Sequence, residues 1–228
     1  MTADELPALL ETLPLPWRAA LPGWTAARWL AVCARVRAAS GSRPIAPADP
    51  LRALRFFAPA DTRVVILGQD PYPRPGHADG LAFSARCARP HSLRRIFQVL
   101  AADRPGFAPL PAPAAWPLDH WAAQGVLLLN PVLSVEEGRA GSHMDCGWQA
   151  LTCEIIQQLC RIGSPPSFLL WGRPANVFFD AACPAAASAG VTVLRTRHPS
   201  HDMRREFMAA GSHFLATAQQ VDWWRGPG

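Results

Sequence analysis

Four short apolar runs constrain this chain more than any other feature: Arg63 to Leu67, Val126 to Leu129, Phe168 to Trp171 and Val191 to Leu194. Runs of this length without polar alternation read as strands buried on both faces. The stretches between them carry helical patterns at His91 to Ala102, Trp148 to Leu159 and, more briefly, around Ala175 to Ala182. Strands that alternate with helices are joined by crossovers and so line up in parallel, with helices covering the sheet. The chain is therefore expected to form one α/β domain over residues 1–228, a three-layer α/β/α fold with a central four-stranded parallel sheet. Within it, residues 1–60 are read as a helical N-terminal portion and connector, with Trp24 to Ala38 as the clearest helix and Pro44 to Pro50 as an extended link. A second irregular, Pro-rich connector is expected between Arg104 and Pro117.

Each run ends in a polar turn marked by Gly or Pro: Gly68-Gln69-Asp70-Pro71, Asn130-Pro131, Gly172-Arg173-Pro174 and Arg195 to Ser200. In an open parallel sheet these turns emerge on one edge, where such folds bind ligands. Asp70, Asn130 and His198 are thus expected to converge although they lie far apart in sequence. The first turn continues to Tyr72, the only tyrosine, and Pro73. A carboxylate that leaves a buried strand in a proline-stiffened turn has a fixed position, which acid-base and electrostatic chemistry requires.

Composition narrows the setting. Half the residues are hydrophobic, enough for a substantial core, yet no run approaches the roughly 18 to 20 apolar residues of a membrane span. The start, Met1-Thr2-Ala3-Asp4-Glu5, has acids where a signal peptide carries basic residues, so a cytoplasmic protein is expected. Cys33, Cys87, Cys146, Cys153, Cys160 and Cys183 show no CxxC pairing and read as free thiols, with no metal and no cofactor. All 22 basic residues are arginine and the net charge is +5, which tilts only slightly toward a nucleic-acid partner, because uniform avoidance of lysine points to a coding bias.

A carboxylate, an amide and an imidazole at strand ends suit a reaction without a nucleophilic side chain. Asp70 can orient a water or stabilise positive charge, and His198 can hydrogen-bond negative charge on a leaving group. Asn130 offers both a donor and an acceptor, the pattern that reads the edge of a planar heterocycle. Each residue also has a plainer reading: the Asp as a cap or turn former, the Asn as a turn before proline, the His as a surface residue.

Several motifs in order decide between the readings. Gly68-Gln69-Asp70-Pro71-Tyr72, Gly80-Leu81-Ala82-Phe83-Ser84, Gln124 to Asn130, Phe168-Leu169-Leu170-Trp171-Gly172 and His198-Pro199-Ser200 follow one another as in a family 1 uracil-DNA glycosylase, which the chain resembles over about residues 55 to 224. Asp70 distinguishes this form from relatives with Asn or Glu there. The resemblance implies a monofunctional enzyme that hydrolyses the N-glycosidic bond of deoxyuridine in DNA during base excision repair, releasing uracil and leaving an abasic site. It assigns Asp70 and His198 to catalysis and Gln69, Tyr72, Phe83 and Asn130 to uracil. Ser92, Gly172 and Ser200 would grip DNA. The partners it implies are single- and double-stranded DNA containing uracil and a DNA-mimicking inhibitor protein, with the enzyme a monomer and no membrane contact. With no lysine in the chain, a Schiff base through a lysine side chain is impossible, so no strand cleavage is expected.

The chain departs from that pattern at the rim. Pro73 replaces the usual His after the motif Tyr, and Arg173 stands where a short loop usually has Ser and would contact a phosphate. After His198-Pro199-Ser200 the family continues Pro-Leu-Ser, whose Leu fills the space left by the extruded base; here the chain reads His201-Asp202-Met203-Arg204-Arg205 and is one residue longer. Asp202 holds the wedge position by direct count, but an anion pushed among stacked bases is unfavourable. Met203 is therefore read as the wedge and Arg204 or Arg205 as a phosphate contact. Two rival functions remain: a related glycosylase of broader base specificity, which a panel of damaged bases separates, and a non-catalytic DNA binder, which binds without releasing uracil.

Overall fold

The computed structural model describes residues 1–86, 90–106, 117–184, 190–202 and 204–225. Its centre is a parallel sheet of order β3-β2-β5-β6, formed by β2 (Val64–Leu67), β3 (Val126–Leu129), β5 (Ser167–Trp171) and β6 (Val193–Thr196). Val64 pairs with Val126 on one side and Ser167 on the other, so β2 is central. β2, β3 and β5 are buried at every position, as their unbroken apolar sequences require. β6 is the edge strand and is only partly covered. Its observed start lies two residues after the apolar run at Val191, because pairing with Phe168 through Trp171 fixes its span and an edge strand has no second neighbour to extend it.

Helices cover the sheet as expected, and three of them lie on the crossovers. α2 (His91–Asp103) lies between β2 and β3, α3 (Trp148–Arg161) between β3 and β5, and α4 (Arg173–Ala182) between β5 and β6. Leu93, Ile96, Val99 and Leu100 form the buried stripe of α2, at the spacing of a single helical face. On α3 the stripe is Trp148, Leu151, Ile155, Ile156 and Leu159. The irregular connector expected between Arg104 and Pro117 falls mostly on residues 107–116, which lie outside the described residues.

The N-terminal portion is built around α1 (Ala26–Ser40), whose first turn is capped by the Thr25 hydroxyl accepting the Arg28 N–H. Trp29 on its buried face meets Trp148 edge-on, with ring centroids 5.6 Å apart. A two-residue strand in the connector, β1 (Ile45–Ala46), pairs antiparallel with β4 (Val135–Glu136), a pairing too short to read from sequence. Arg43 reinforces it with a 2.6 Å ion pair to Glu136. This portion and the sheet share one apolar core. The five described cysteines are free.

Aromatic contacts under β5 and β6 position the loop after β6. Trp171 at the end of β5 takes Phe207 edge-on at 5.4 Å and lies 6.0 Å from Phe214 on the last short helix, α5 (His213–Ala216). Buried aromatic pairs of this kind contribute about 0.5–1.5 kcal/mol each beyond their area. They fold the chain after His198 back onto the body of the domain.

Candidate active site

Gly68 sets the floor of a cavity at the carboxyl edge of the sheet. A Cβ on this residue would come within 2.1 Å of Asn130 Oδ1 and 3.1 Å of Ala82 Cβ. Only glycine lets the ends of β2 and β3 approach closely enough for the Asn130 amide to lie across them. The Gly68 N–H donates to Leu129 O at 3.0 Å, and Gln69 O accepts the Val132 N–H at 3.2 Å, which fixes the turn to the strand beside it.

Asp70 follows, half-buried, with Oδ2 accepting the Gly141 N–H at 3.2 Å. Burial pushes its pKa above the ordinary carboxylate value, while the N–H of Gly141 and its own N–H pull the other way. Two residues on, the Tyr72 hydroxyl donates to Phe83 O at 3.2 Å and lies 3.0 Å from Ser92 Oγ. Since the phenol has a single hydrogen, the Ser92 hydroxyl is the donor in that second bond. Burial raises the Tyr72 pKa to about 12, so the phenol stays neutral and its ring is held from two sides.

The loop carrying Phe83 is organised by Asp79, a residue with no motif to mark it. Its carboxylate accepts the Leu81 N–H at 3.1 Å and the Ser84 hydroxyl at 2.6 Å, and Arg52 stands 3.4 Å from it. The Ser84 oxygen in turn accepts the Leu118 N–H at 3.0 Å. These bonds hold Phe83 at φ +65°, a left-handed conformation that costs a non-glycine residue about 1–2 kcal/mol. The reward is placement: the ring lies 5.1 Å from Trp171 and 5.8 Å from His198 between centroids.

His198 leaves the end of β6 beside Gly172. Gly172 has φ +99°, and a Cβ there would meet His198 Cβ at 2.7 Å, so glycine is required for the approach. His198 Nδ1 accepts the Ser200 N–H at 3.1 Å. In a neutral ring the proton must then sit on Nε2, which makes Nε2 a hydrogen-bond donor.

Beyond Ser200 the loop turns inward. The Asp202 side chain is 1% exposed, is ion-paired with Arg95 of α2, and accepts the Phe207 N–H at 2.8 Å. Burial opposes its charge, but those donors outweigh burial and hold the carboxyl below its usual range. The residue at the direct-count wedge position is thus a buried anchor. Arg204 and Arg205 are exposed, and Met203 lies outside the described residues.

One cavity of about 200 Å³ is lined by Gln69, Asp70, Tyr72, Phe83, Asn130 and His198, with Ser92 and Ser200 at its margin. That is below the roughly 300–1,000 Å³ of pockets for drug-sized ligands and suits a single small ring. Arg173 stands outside it, exposed at the start of α4, in a neighbouring surface groove that also holds Arg195, Arg197 and His198. Ser92 is buried with its hydroxyl committed to Tyr72, so its backbone N–H in the first turn of α2 is the group suited to an anion. Asp79, Gly141 and the Arg95 and Asp202 pair were not singled out from sequence. For Gly141 the signal was the Gly138 and Gly141 spacing in a turn between a strand and a helix.

Comparison with known proteins agrees with this geometry. Residues 54–222 match the family described as Uracil DNA glycosylase superfamily. A uracil-DNA glycosylase of Bordetella parapertussis is 46% identical over 235 residues, covering 96% of this chain and 90% of that protein. One from Bordetella petrii is 44% identical over 205 residues, covering 88% and 78%. Among solved structures, a variant mimivirus UNG in complex with UGI superposes with a TM-score of 0.70 at 22% identity, covering 82% of this chain and 70% of that one.

Proposed function

The chain belongs to the uracil DNA glycosylase superfamily and removes uracil from DNA in base excision repair, and from that premise we propose how its own residues divide the work. The observation that carries the proposal is the meeting of Asp70, Asn130, Phe83 and His198 around one cavity, with the His198 proton directed to Nε2.

The glycosidic bond is reached only when the deoxyuridine leaves the base stack, at a cost of a few kcal/mol. Phe83 offsets part of this by stacking on the uracil, and its strained backbone is held in advance by Asp79 and Ser84. Asn130 pairs with O4 and N3 of uracil. Cytosine reverses the donor and acceptor pattern at those positions and leaves buried groups unpaired, a discrimination of roughly 1–3 kcal/mol. Tyr72 faces C5 as a wall braced through Phe83 O and Ser92, so the thymine methyl meets a surface that does not yield. Gln69 completes the uracil contacts through its backbone N–H near O2.

As the C1′–N1 bond lengthens, positive charge grows on the sugar and negative charge on the uracil. The His198 Nε2–H donates to O2 and stabilises the departing anion without transferring its proton. Asp70 stabilises the sugar cation, orients the water that adds to C1′ and accepts its proton, for which a carboxylate made more basic by burial is suited. The products are uracil and an abasic site, and the strand stays intact.

Outside the cavity, Ser200, Gly172, the Ser92 backbone and Arg173 hold phosphates, Arg204 and Arg205 add charge at the loop tip, and Met203 serves as wedge. The whole chain acts as one domain and a cytoplasmic monomer on single- and double-stranded DNA, and a DNA-mimicking inhibitor such as UGI binds the same face. The shared core supports the first of these, and among the described residues no helix is long and apolar enough to cross a membrane.

The test is single-turnover uracil release from single- and double-stranded oligonucleotides by the wild type and Asp70→Asn. We expect a loss of about 10²–10⁴-fold in the variant. For the wild type, the rate should fall with acidity through an apparent pKa above the ordinary Asp value of about 3.9, because the carboxylate is the active form and burial raises its pKa. A wild-type rate in the variant would remove Asp70 from the reaction.

A further inference from the structure

The turn between β4 and α3 forms a wall of the Asp70 loop that none of the motifs covers. It touches that loop twice: the Gly138 N–H donates to Pro73 O at 2.7 Å, and the Gly141 N–H donates to Asp70 Oδ2 at 3.2 Å. The turn is also bonded internally. The Ser142 hydroxyl accepts the Glu136 N–H at 2.8 Å, and the Met144 N–H donates to Gly141 O at 3.1 Å.

Behind this turn sits His143, with 0% exposure. Its Nε2 lies 2.7 Å from Ser40 Oγ at the end of α1, and its Nδ1 lies 2.9 Å from Ser134 Oγ just before β4. Ser134 Oγ also accepts the Trp148 Nε1–H at 2.8 Å, so Trp148, Ser134 and His143 form one chain of hydrogen bonds. One ring nitrogen donates and the other accepts, so the neutral imidazole bridges Ser40 and Ser134 in either tautomer. Burial lowers the His143 pKa and keeps the ring neutral, so this pattern persists at physiological pH. A buried polar network with every member bonded makes its surroundings rigid.

We propose that His143 is a positioning residue for Asp70: by tying Ser40 to Ser134 it locks the turn from behind, and the locked turn keeps the Gly141 N–H on the carboxylate. The inference rests on Asp70 acting as the water-directing group. It also gives the N-terminal portion a share in the reaction, through Ser40 of α1.

The groups that set the Asp70 titration are burial, its own N–H and the Gly141 N–H. Of the charged side chains in this segment, Glu136 pairs with Arg139 and with Arg43, Glu137 and Asp145 also lie on it, and His198 lines the cavity from the turn after β6. If His143 is removed and the Gly141 N–H swings away, the carboxylate loses a donor and its pKa rises further. The acid limb of the rate profile should therefore move to higher pH.

Single-turnover uracil release from single-stranded DNA, measured against pH, tests this in His143→Ala, His143→Gln, Ser40→Ala, Asp70→Asn and the Asp70→Asn/His143→Ala double variant. We expect His143→Ala to lose roughly tenfold in rate, with half-saturating DNA concentration unmoved and the acid limb shifted up. Gln at 143 restores a hydrogen-bonding group on the Ser40 side and should recover most of the loss, and Ser40→Ala should shift the limb less in the same direction. On top of Asp70→Asn, His143→Ala should cost nothing more. An unmoved acid limb in His143→Ala overturns the proposal, as does a full further tenfold loss in the double variant. If His143→Ala fails to fold by circular dichroism, an unmoved limb in both His143→Gln and Ser40→Ala overturns it. A wild-type rate in Asp70→Asn alone instead removes the reading of Asp70 on which the proposal rests.

Discussion

In the reaction we propose, two walls serve the two ends of the breaking bond, and they are built differently. The Asp70 wall is held chiefly by neutral backbone hydrogen bonds, Gly138 to Pro73, Val132 to Gln69 and Gly68 to Leu129, with the Gly141 N–H on the Asp70 carboxylate. The His198 wall is held by the close approach of Gly172, by the ion pair of Arg95 with Asp202, and by Phe207 set edge-on to Trp171. Buried neutral bonds respond little to salt, and a wall placed by them keeps one geometry. A wall anchored partly by charge can be varied by exchanging the charges. Against the resembled motifs, the chain keeps Gly68 to Tyr72 around the carboxylate, departs at Pro73, and departs most in the loop that follows the imidazole.

The largest effect expected in the comparison comes from breaking the floor of the neutral wall. In Gly68→Ala the new methyl overlaps Asn130 Oδ1, and backbone pairing on both sides of β2 prevents retreat, so the amide must leave its place. We expect uracil release to drop about 30- to 160-fold, the rate equivalent of a bidentate base contact of ~2–3 kcal/mol, with melting little changed. Selectivity for uracil over cytosine should narrow in the same assay. Wild-type selectivity in this variant would mean that Asn130 is not the reader.

The charged wall should respond in stability before chemistry. Asp202→Ala leaves Arg95, 19% exposed, without this partner, and breaking a largely buried pair costs roughly 3 kcal/mol. Because the folded pKa of Asp202 is lowered, its contribution is complete above the unfolded value of about 3.9 and disappears as pH falls through the lower folded value. The difference in melting temperature between the wild type and Asp202→Ala should therefore shrink in strong acid. Uracil release should fall several-fold through loss of order around His198. Equal melting of the two proteins at neutral pH would show that the ion pair does not anchor the loop.

The same contrast explains what was legible in the sequence. Unbroken apolar runs mark buried strands because burial on both faces leaves no room for alternation, and the Asp70, Asn130 and His198 turns could be placed on one edge because parallel topology forces them there. The start of β6 was read two residues early, because at a half-covered edge the apolar pattern no longer coincides with pairing. Asp79, Gly141 and His143 carry no motif, because the partners of each, Leu81, Ser84 and Arg52 for the first, Asp70 for the second, Ser40 and Ser134 for the third, are set by the folded chain, and a single small or polar residue in a turn looks the same whether or not it makes such bonds. For Asp202, electrostatics argues against a carboxylate wedge. That it instead bonds Arg95 on α2 depends on a packing of loop on helix that no local pattern records.

The smallest effect should separate the charged rim from both walls. Arg173 is exposed at the start of α4 and makes no ion pair among the described residues, whereas Arg195 and Arg197 in the same groove are paired with Asp180 and Glu206. A phosphate seated there would be met chiefly by Arg173. Arg173→Ala should weaken binding to duplex DNA severalfold, leave the single-turnover rate at saturating enzyme unchanged, and flatten the slope of log affinity against log salt by about 0.9, the release of a single counterion. An unchanged slope with weaker binding would assign Arg173 to the packing of the loop, and an unchanged affinity would leave the phosphate to the backbone N–H groups at the start of α4.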